Sequence, residues 1–225
     1  MLGIMCSHFD PVIQPQLLLD FFGVDDPPLD LKPSLWPGYH GPFVRRHEFA
    51  DVGDEAVPSR ELRVGSFGLI PHWAKDDLIA RRTYNARSET VHEKPSFRDA
   101  WRQSRRCIVP AEAIYEPDWR SGKSISTRIA RADGRPMGIA GLWSEWRNPK
   151  GGERIHSFTM LTINADTHPM MRQFHKPDDE KRMVVILADS AYDAWLQAPV
   201  AESRDFLKPF PAKALVAEQP QQGLF

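Results

Sequence analysis

"RCIVPAEAIYE", residues 106–116, decides how the rest of the chain is read. It is a short run of strand character that ends on a charged residue, and it has many companions. "GPFVRRHEF" (41–49), "ELRVGSFGLI" (61–70), "SISTRIARA" (124–132), "MGIAGLWSEW" (137–146), "HSFTMLTINA" (156–165) and "RMVVILA" (182–188) read the same way. Helices are fewer. "PQLLLDFF" (15–22) is one, "KPSFRDAWRQS" (94–104) a second with Ser96 placed to cap and Asp99 three residues on, and "ADSAYDAWL" (188–196) a third with Asp189 in the capping position. Strands outnumber helices and do not alternate with them. The expected fold is therefore α+β, a single domain with a curled, barrel-like, mainly antiparallel sheet flanked by short helices.

The remaining segments are punctuation. "VDDPPLDLKPSLWPGYHGP" (24–42) breaks any periodic run and reads as a long ordered loop, and "VAEQPQQGLF" (216–225) reads as a polar tail, expected to be poorly ordered. With 225 residues, 41% hydrophobic and 26% charged, the chain can bury one substantial core and does not demand two. A formal net charge of -1 excludes a globally basic nucleic-acid binder but leaves room for a local basic patch. Two distant cysteines form no disulfide framework, and no segment has the composition of a signal peptide or a membrane span. A cytoplasmic protein without membrane association is the expectation.

Positive charge gathers in residues 81–106, where Arg81, Arg82, Arg87, Lys94, Arg98, Arg102, Arg105 and Arg106 face only Glu89, Glu93 and Asp99. If they share a face they suit phosphate contacts; the plainer alternative is a solvated surface with ion pairs. Trp73, Tyr84, Phe97, Trp101 and Trp119 are interleaved with these residues and could stack unpaired bases, whereas Trp143 and Trp146 read as core. Glu116 ends an apolar run, where partial burial would raise its pKa and suit it to donate a proton. His175 precedes a loop and a strand, a position suited to the edge of a site. Cys107 reads as a small core residue. No zinc spacing, phosphate-gripping glycine loop or G-x-S-x-G elbow is present, and no metal or cofactor is implied.

"MCSHF" (5–9), "FGLIPHWAKD" (67–76), "NARSET" (85–90), "CIVPAEAIYEPDW" (107–119) and "HKPDDEKRMVVIL" (175–187), in this order, resemble the SRAP family, the SOS response-associated peptidase proteins that cross-link to abasic sites in DNA. The resemblance implies the SRAP fold and a mature N-terminal cysteine, Cys6, whose α-amine and thiol both react with the aldehyde of a ring-opened abasic sugar. An amine titrating near 8 and a thiol near 8.5 are both appreciably available at neutral pH. Carried over, Cys6, Asn85, Glu116 and His175 are the catalytic residues. Asn85 would hold the sugar and Arg87 the adjacent phosphate, Glu116 would move protons, and His175 would assist at the sugar hydroxyl. Pro71, Trp73, Arg81, Arg82 and Glu89 complete the expected DNA-binding set. The partner implied is single-stranded or junction DNA carrying abasic sites, bound by a monomer that joins the nucleoid when the DNA is damaged.

Two departures bear on this. Phe67 stands where the family motif has tryptophan, and "LWPGYHGP" replaces the common "YNVAP" segment. The chemistry also needs Cys6 to carry a free amine, so residues 1–5 are read as a leader, either removed by the protein itself or not translated from a start at Met5, ahead of a domain spanning 6–215. A cysteine peptidase using Cys6, His175 and Glu116 is the competing reading, followed by an N-terminal nucleophile amidotransferase and a non-covalent single-strand binder.

Overall fold

The structure, a computed structural model, describes residues 7–26 and 30–218. In chain order the strands are β1 (His8–Pro11), β2 (His40–Arg46), β3 (Arg60–Phe67), β4 (Asn85–Arg87), β5 (Arg106–Asp118), β6 (Ile125–Arg131), β7 (Met137–Arg147), β8 (Arg154–Asn164), β9 (Arg182–Val184), β10 (Ile186–Leu187) and β11 (Leu215–Glu218). The helices are α1 (Pro15–Phe22), α2 (Arg98–Arg102) and α3 (Tyr192–Gln197), joined by short 3-10 turns.

The sheet closes on itself. Pairing runs β7–β8–β3–β2–β5 and returns from β5 to β7, giving a five-stranded barrel. Every barrel pair is antiparallel except β3 with β8, which run parallel through Ser66↔Ser157 and Phe67↔Phe158, so the barrel is mixed. β1 and β6 add to β5, β11 to β6, β10 to β7, and β4 and β9 to β8. The fold expected from the strand count is the one observed, with the parallel closure as an addition.

Phenylalanines fill the interior. Phe158 stacks on Phe67 at 5.5 Å and packs against Phe43 at 5.6 Å, while Phe9 from β1 meets Phe67 edge-on at 5.0 Å. All are fully buried, and each contributes about 1.5–3 kcal/mol of transfer free energy. Cys107 and Trp146 are core as expected, the latter donating its indole N–H to the Ala74 carbonyl at 2.9 Å. Trp143 and Trp101 reverse their expected places: Trp143 is half-buried at the barrel end, and Trp101 is buried beside Arg106, so it cannot stack a base.

Helix α1 follows its sequence rules, with Pro15 in the first turn and Gly23 ending it at φ 69°, its N–H bonded to the Leu19 carbonyl. The other two expected caps do not form. α2 starts after Phe97 with no side-chain cap, and Asp99 instead faces His72 and Arg98. Before α3, Asp189 accepts from Arg131 at 2.6 Å and Arg135 at 2.9 Å, because two guanidinium donors outbid a neutral backbone N–H for a carboxylate. Gly68, at φ 123°, turns the chain out of β3 where a Cβ would overlap the Ala80 carbonyl. Strand β11 takes in residues 216–218 of the segment read as tail and pairs with β6; residues 219–225 lie outside the described part.

Candidate functional site

β5 carries Glu116 near its C-terminal end, with 1% of its surface exposed. His175, from the connection between β8 and β9, places Nε2 3.3 Å from the Glu116 carboxylate and 3.4 Å from the Arg182 carbonyl. The loop is pinned there by backbone. The His175 N–H donates to the Pro117 carbonyl at 2.8 Å, and Phe174 forms an isolated bridge with Asp118. His175 adopts φ 64°, one of two described non-glycine residues in the left-handed region. That conformation costs of order 1–3 kcal/mol and persists only where surrounding contacts over-determine it, as at functional sites. A buried carboxyl against a buried imidazole can hold and pass one proton.

Strand β4 forms a second wall. Asn85 is buried and pairs with Met160 of β8, while Arg87, two residues on and on the same face, is exposed and donates to Glu180 at 2.7 Å. Glu180 also accepts from Arg182 at 2.8 Å and Asn164 at 3.3 Å. Arg182, 2% exposed, grips Glu89 through two bonds of 2.9 Å and donates to the Thr162 carbonyl. Burial pushes the Glu89 and Glu180 carboxyls up, but the Arg182 hydrogen bond together with the further hydrogen bonds and positive charges around each holds both below their ordinary values. Arg182 thus joins the wall of Glu116 and His175 to the wall of Asn85 and Arg87. Glu89 serves this network as the guanidinium's anchor.

β1 lies antiparallel against β5 with His8 opposite Tyr115, the residue before Glu116, so β1 begins at the Glu116 end of the pairing. His8 is stacked between Trp36 (4.3 Å) and Tyr115 (4.1 Å), and Asp10 accepts from both Tyr115 and Ser34. Burial and then the Asp10 bond push the Tyr115 hydroxyl up to about 12. Cys6 and residues 1–5 lie outside the described residues. Trp73 is half exposed, its indole N–H reaching the Pro95 carbonyl at 3.4 Å, whereas Pro71 is buried. Arg81 and Arg82 close an exposed 3-10 turn, Asp77–Arg82. The basic run does not form one face: Arg106 begins β5, with Arg105 just before it, and both stand at the other end of the barrel from Glu116.

The sequence did not single out Arg182, Glu180, Asp118, His8 or Trp36. Charge flanking His175 in "HKPDDEKR" was the available hint for the first two. Among the described residues, no cluster of three or more His, Cys, Asp or Glu could hold a metal ion.

These features define a small α+β barrel protein with a buried Glu–His pair at one end, where the N-terminal strand begins. The chain belongs to the SOS response associated peptidase (SRAP) family, whose pattern it matches over residues 5–222. It is 36% identical over 209 residues to the abasic site processing protein YoaM of Bacillus subtilis, covering 91% of this chain and 84% of that one. The abasic site processing protein YoqW of the same organism is 35% identical over 157 residues, 68% of this chain and 66% of that one. Among solved structures, a Bordetella bronchiseptica protein is similar with a TM-score of 0.86 and 46% identity, over 96% of this chain and 100% of that one. Among the described residues no helix is long and apolar enough to cross a membrane.

Proposed function

We propose that this protein processes abasic sites in DNA by forming a covalent thiazolidine cross-link through Cys6 as the N-terminal residue. The observation that carries this reading is the buried contact of Glu116 with His175, at the end of the sheet where the N-terminal strand begins. Family membership and the names of the relatives support the lesion.

In this reading the Cys6 α-amine adds to the aldehyde carbon of the ring-opened sugar. Glu116 delivers the proton with which the carbinolamine hydroxyl leaves as water, giving an imine. The Cys6 thiolate then adds to the imine carbon, the nitrogen takes a proton, and the five-membered ring closes with the net loss of one water. Asn85 holds the sugar, and His175 orients Glu116 and assists at the sugar hydroxyl. Arg87 takes the neighbouring phosphate after exchanging its exposed bond to Glu180. Trp73, Arg81 and Arg82 offer ring and charge to an unstacked strand or a single-stranded junction. The protein acts as a monomer in the cytoplasm, on the nucleoid when DNA is damaged, after residues 1–5 are removed or left untranslated.

The test is denaturing electrophoresis after incubation with a single-stranded oligonucleotide bearing one abasic site, using protein that begins at Met1 or at Met5. A covalent band whenever Cys6 is N-terminal by intact mass, and none when the leader is retained, is the expected result. A band from protein that retains the leader would overturn thiazolidine chemistry. Cleavage of an internal peptide by leader-bearing protein would favour the cysteine peptidase reading with Cys6, His175 and Glu116.

A further inference from the structure

Where β5, β3 and β8 begin and β2 ends, two adjoining cavities of about 330 and 400 Å³ share Arg46, Arg105 and Trp143 as lining. Arg106 and Glu116 are ten positions apart on β5, so at roughly 3.3 Å per residue the two ends lie up to about 33 Å apart along the strand. Two guanidinia lie over the Trp143 ring, Arg45 at 4.2 Å and Arg105 at 5.0 Å from its centroid. Most charges here are matched. Glu61 takes Arg45 and Arg63, Asp51 takes Arg46, and Glu145 takes Arg154.

Arg105 differs: no described carboxylate lies within ion-pair distance of its half-buried guanidinium, although Glu145 lines the same cavity. Beside it Arg106 is buried with only the Ser203 hydroxyl and the Trp101 carbonyl as partners. Burial lowers both arginines, Arg106 to about 10; on Arg105 the nearby Glu145 carboxylate partly offsets burial, and Arg45 adds a smaller repulsion. Backbone strain sits at the same place. Ser104, the other described non-glycine residue in the left-handed region, has φ 51°, and its carbonyl accepts the Arg106 N–H at 2.8 Å, so the turn drives both arginines inward. The exposed Arg46–Asp51 pair is easily exchanged, which would release a second fork toward the shared space.

We infer that this cleft binds a phosphate group, held by the Arg105 fork with Arg46 alongside it. Planar guanidinium donors match phosphate oxygens in parallel pairs, and the cavities have room for the ion and its water. Two guanidinia already lie over the Trp143 ring, so a base does not stack there and recognition is independent of sequence. The phosphate comes either from a nucleic-acid backbone running past the barrel or from a free diphosphate.

Titration calorimetry with inorganic pyrophosphate and with undamaged single strands of about 6 and about 25 nucleotides separates these sources, since 33 Å spans roughly ten stacked nucleotides. Undamaged DNA keeps the outcome independent of lesion chemistry. Arg105→Gln should weaken binding at least tenfold, with Arg105→Lys recovering part of it and the melting temperature unchanged. If the longer strand binds more tightly and Arg105→Gln removes that gain, together with about 0.7 from its salt slope, the backbone is the source. If pyrophosphate binding falls without any dependence on strand length, the source is a free diphosphate. Two results overturn the site: no change with either ligand, or an equal loss in Arg147→Gln, which removes the same charge from exposed surface nearby.

Discussion

The two ends of the barrel treat charge in opposite ways. At the Glu116 end the guanidinia of the central network are matched, Arg182 by Glu89 and Glu180, Arg87 by Glu180, and Arg120 by Asp118. At the Trp143 end, Arg105 and Arg106 stand without a carboxylate. Each end carries a left-handed non-glycine residue in a loop that meets β5, His175 at one and Ser104 at the other. Matched charge around a buried acid fixes geometry for proton transfer. Unmatched cations in an open cleft wait for an anion from outside.

Glu116→Gln is the sharpest test of the contrast. Adduct formation should slow by about 10²–10⁴-fold in a gel time course, the usual contribution of a positioned acid, while pyrophosphate affinity at the far end stays unchanged. A loss under about tenfold would remove Glu116 from the chemistry. Arg182→Met should cost about 3 kcal/mol in urea unfolding, because it strips two carboxylates and the Thr162 carbonyl of a buried partner. Freeing Arg87 has the opposite sign: Glu180→Gln should tighten binding of undamaged single strands a few-fold and steepen the salt slope by up to about 0.7. Unchanged binding would mean that Arg87 does not face the strand.

The smallest effect is on pH dependence, and both ends share it. Burial holds His8 below 6.5 against Asp10 at one end, and burial with Arg45 holds His156 below it at the other. The unfolded chain therefore takes up protons first, and stability falls as pH drops through 6.5 toward the folded values. His8→Gln and His156→Gln should each flatten that slope in unfolding midpoints between about pH 7 and pH 5.

Much of this fold was legible. β2, β3 and β5 to β9 fall on the strand-like runs, and α1 falls where Pro15 and the following apolar residues place it. Local alternation and turn residues suffice for that, since each acts within a few positions. The failures share a cause. Ser96 and Asp189 were read as caps from spacing alone, but charged partners distant in sequence decided where Asp189 points. Trp101 and Arg106 were read with an exposed basic run, whereas the fold buries them against each other. At the site, the chemistry of Glu116 and His175 was expected one residue at a time; their contact was not.

By itself the sequence determined the strand-rich class, the helix start at Pro15, the core place of Cys107 and Trp146, and the motif series that marks the family. Those are properties of residue type and near neighbours. Tertiary structure alone decided that β3 and β8 close the barrel in parallel, that Arg182 clamps Glu89 from 93 positions away, and that the basic run divides between opposite ends. Such pairings depend on long loops closing around a shared core, and no local pattern records which distant partner wins.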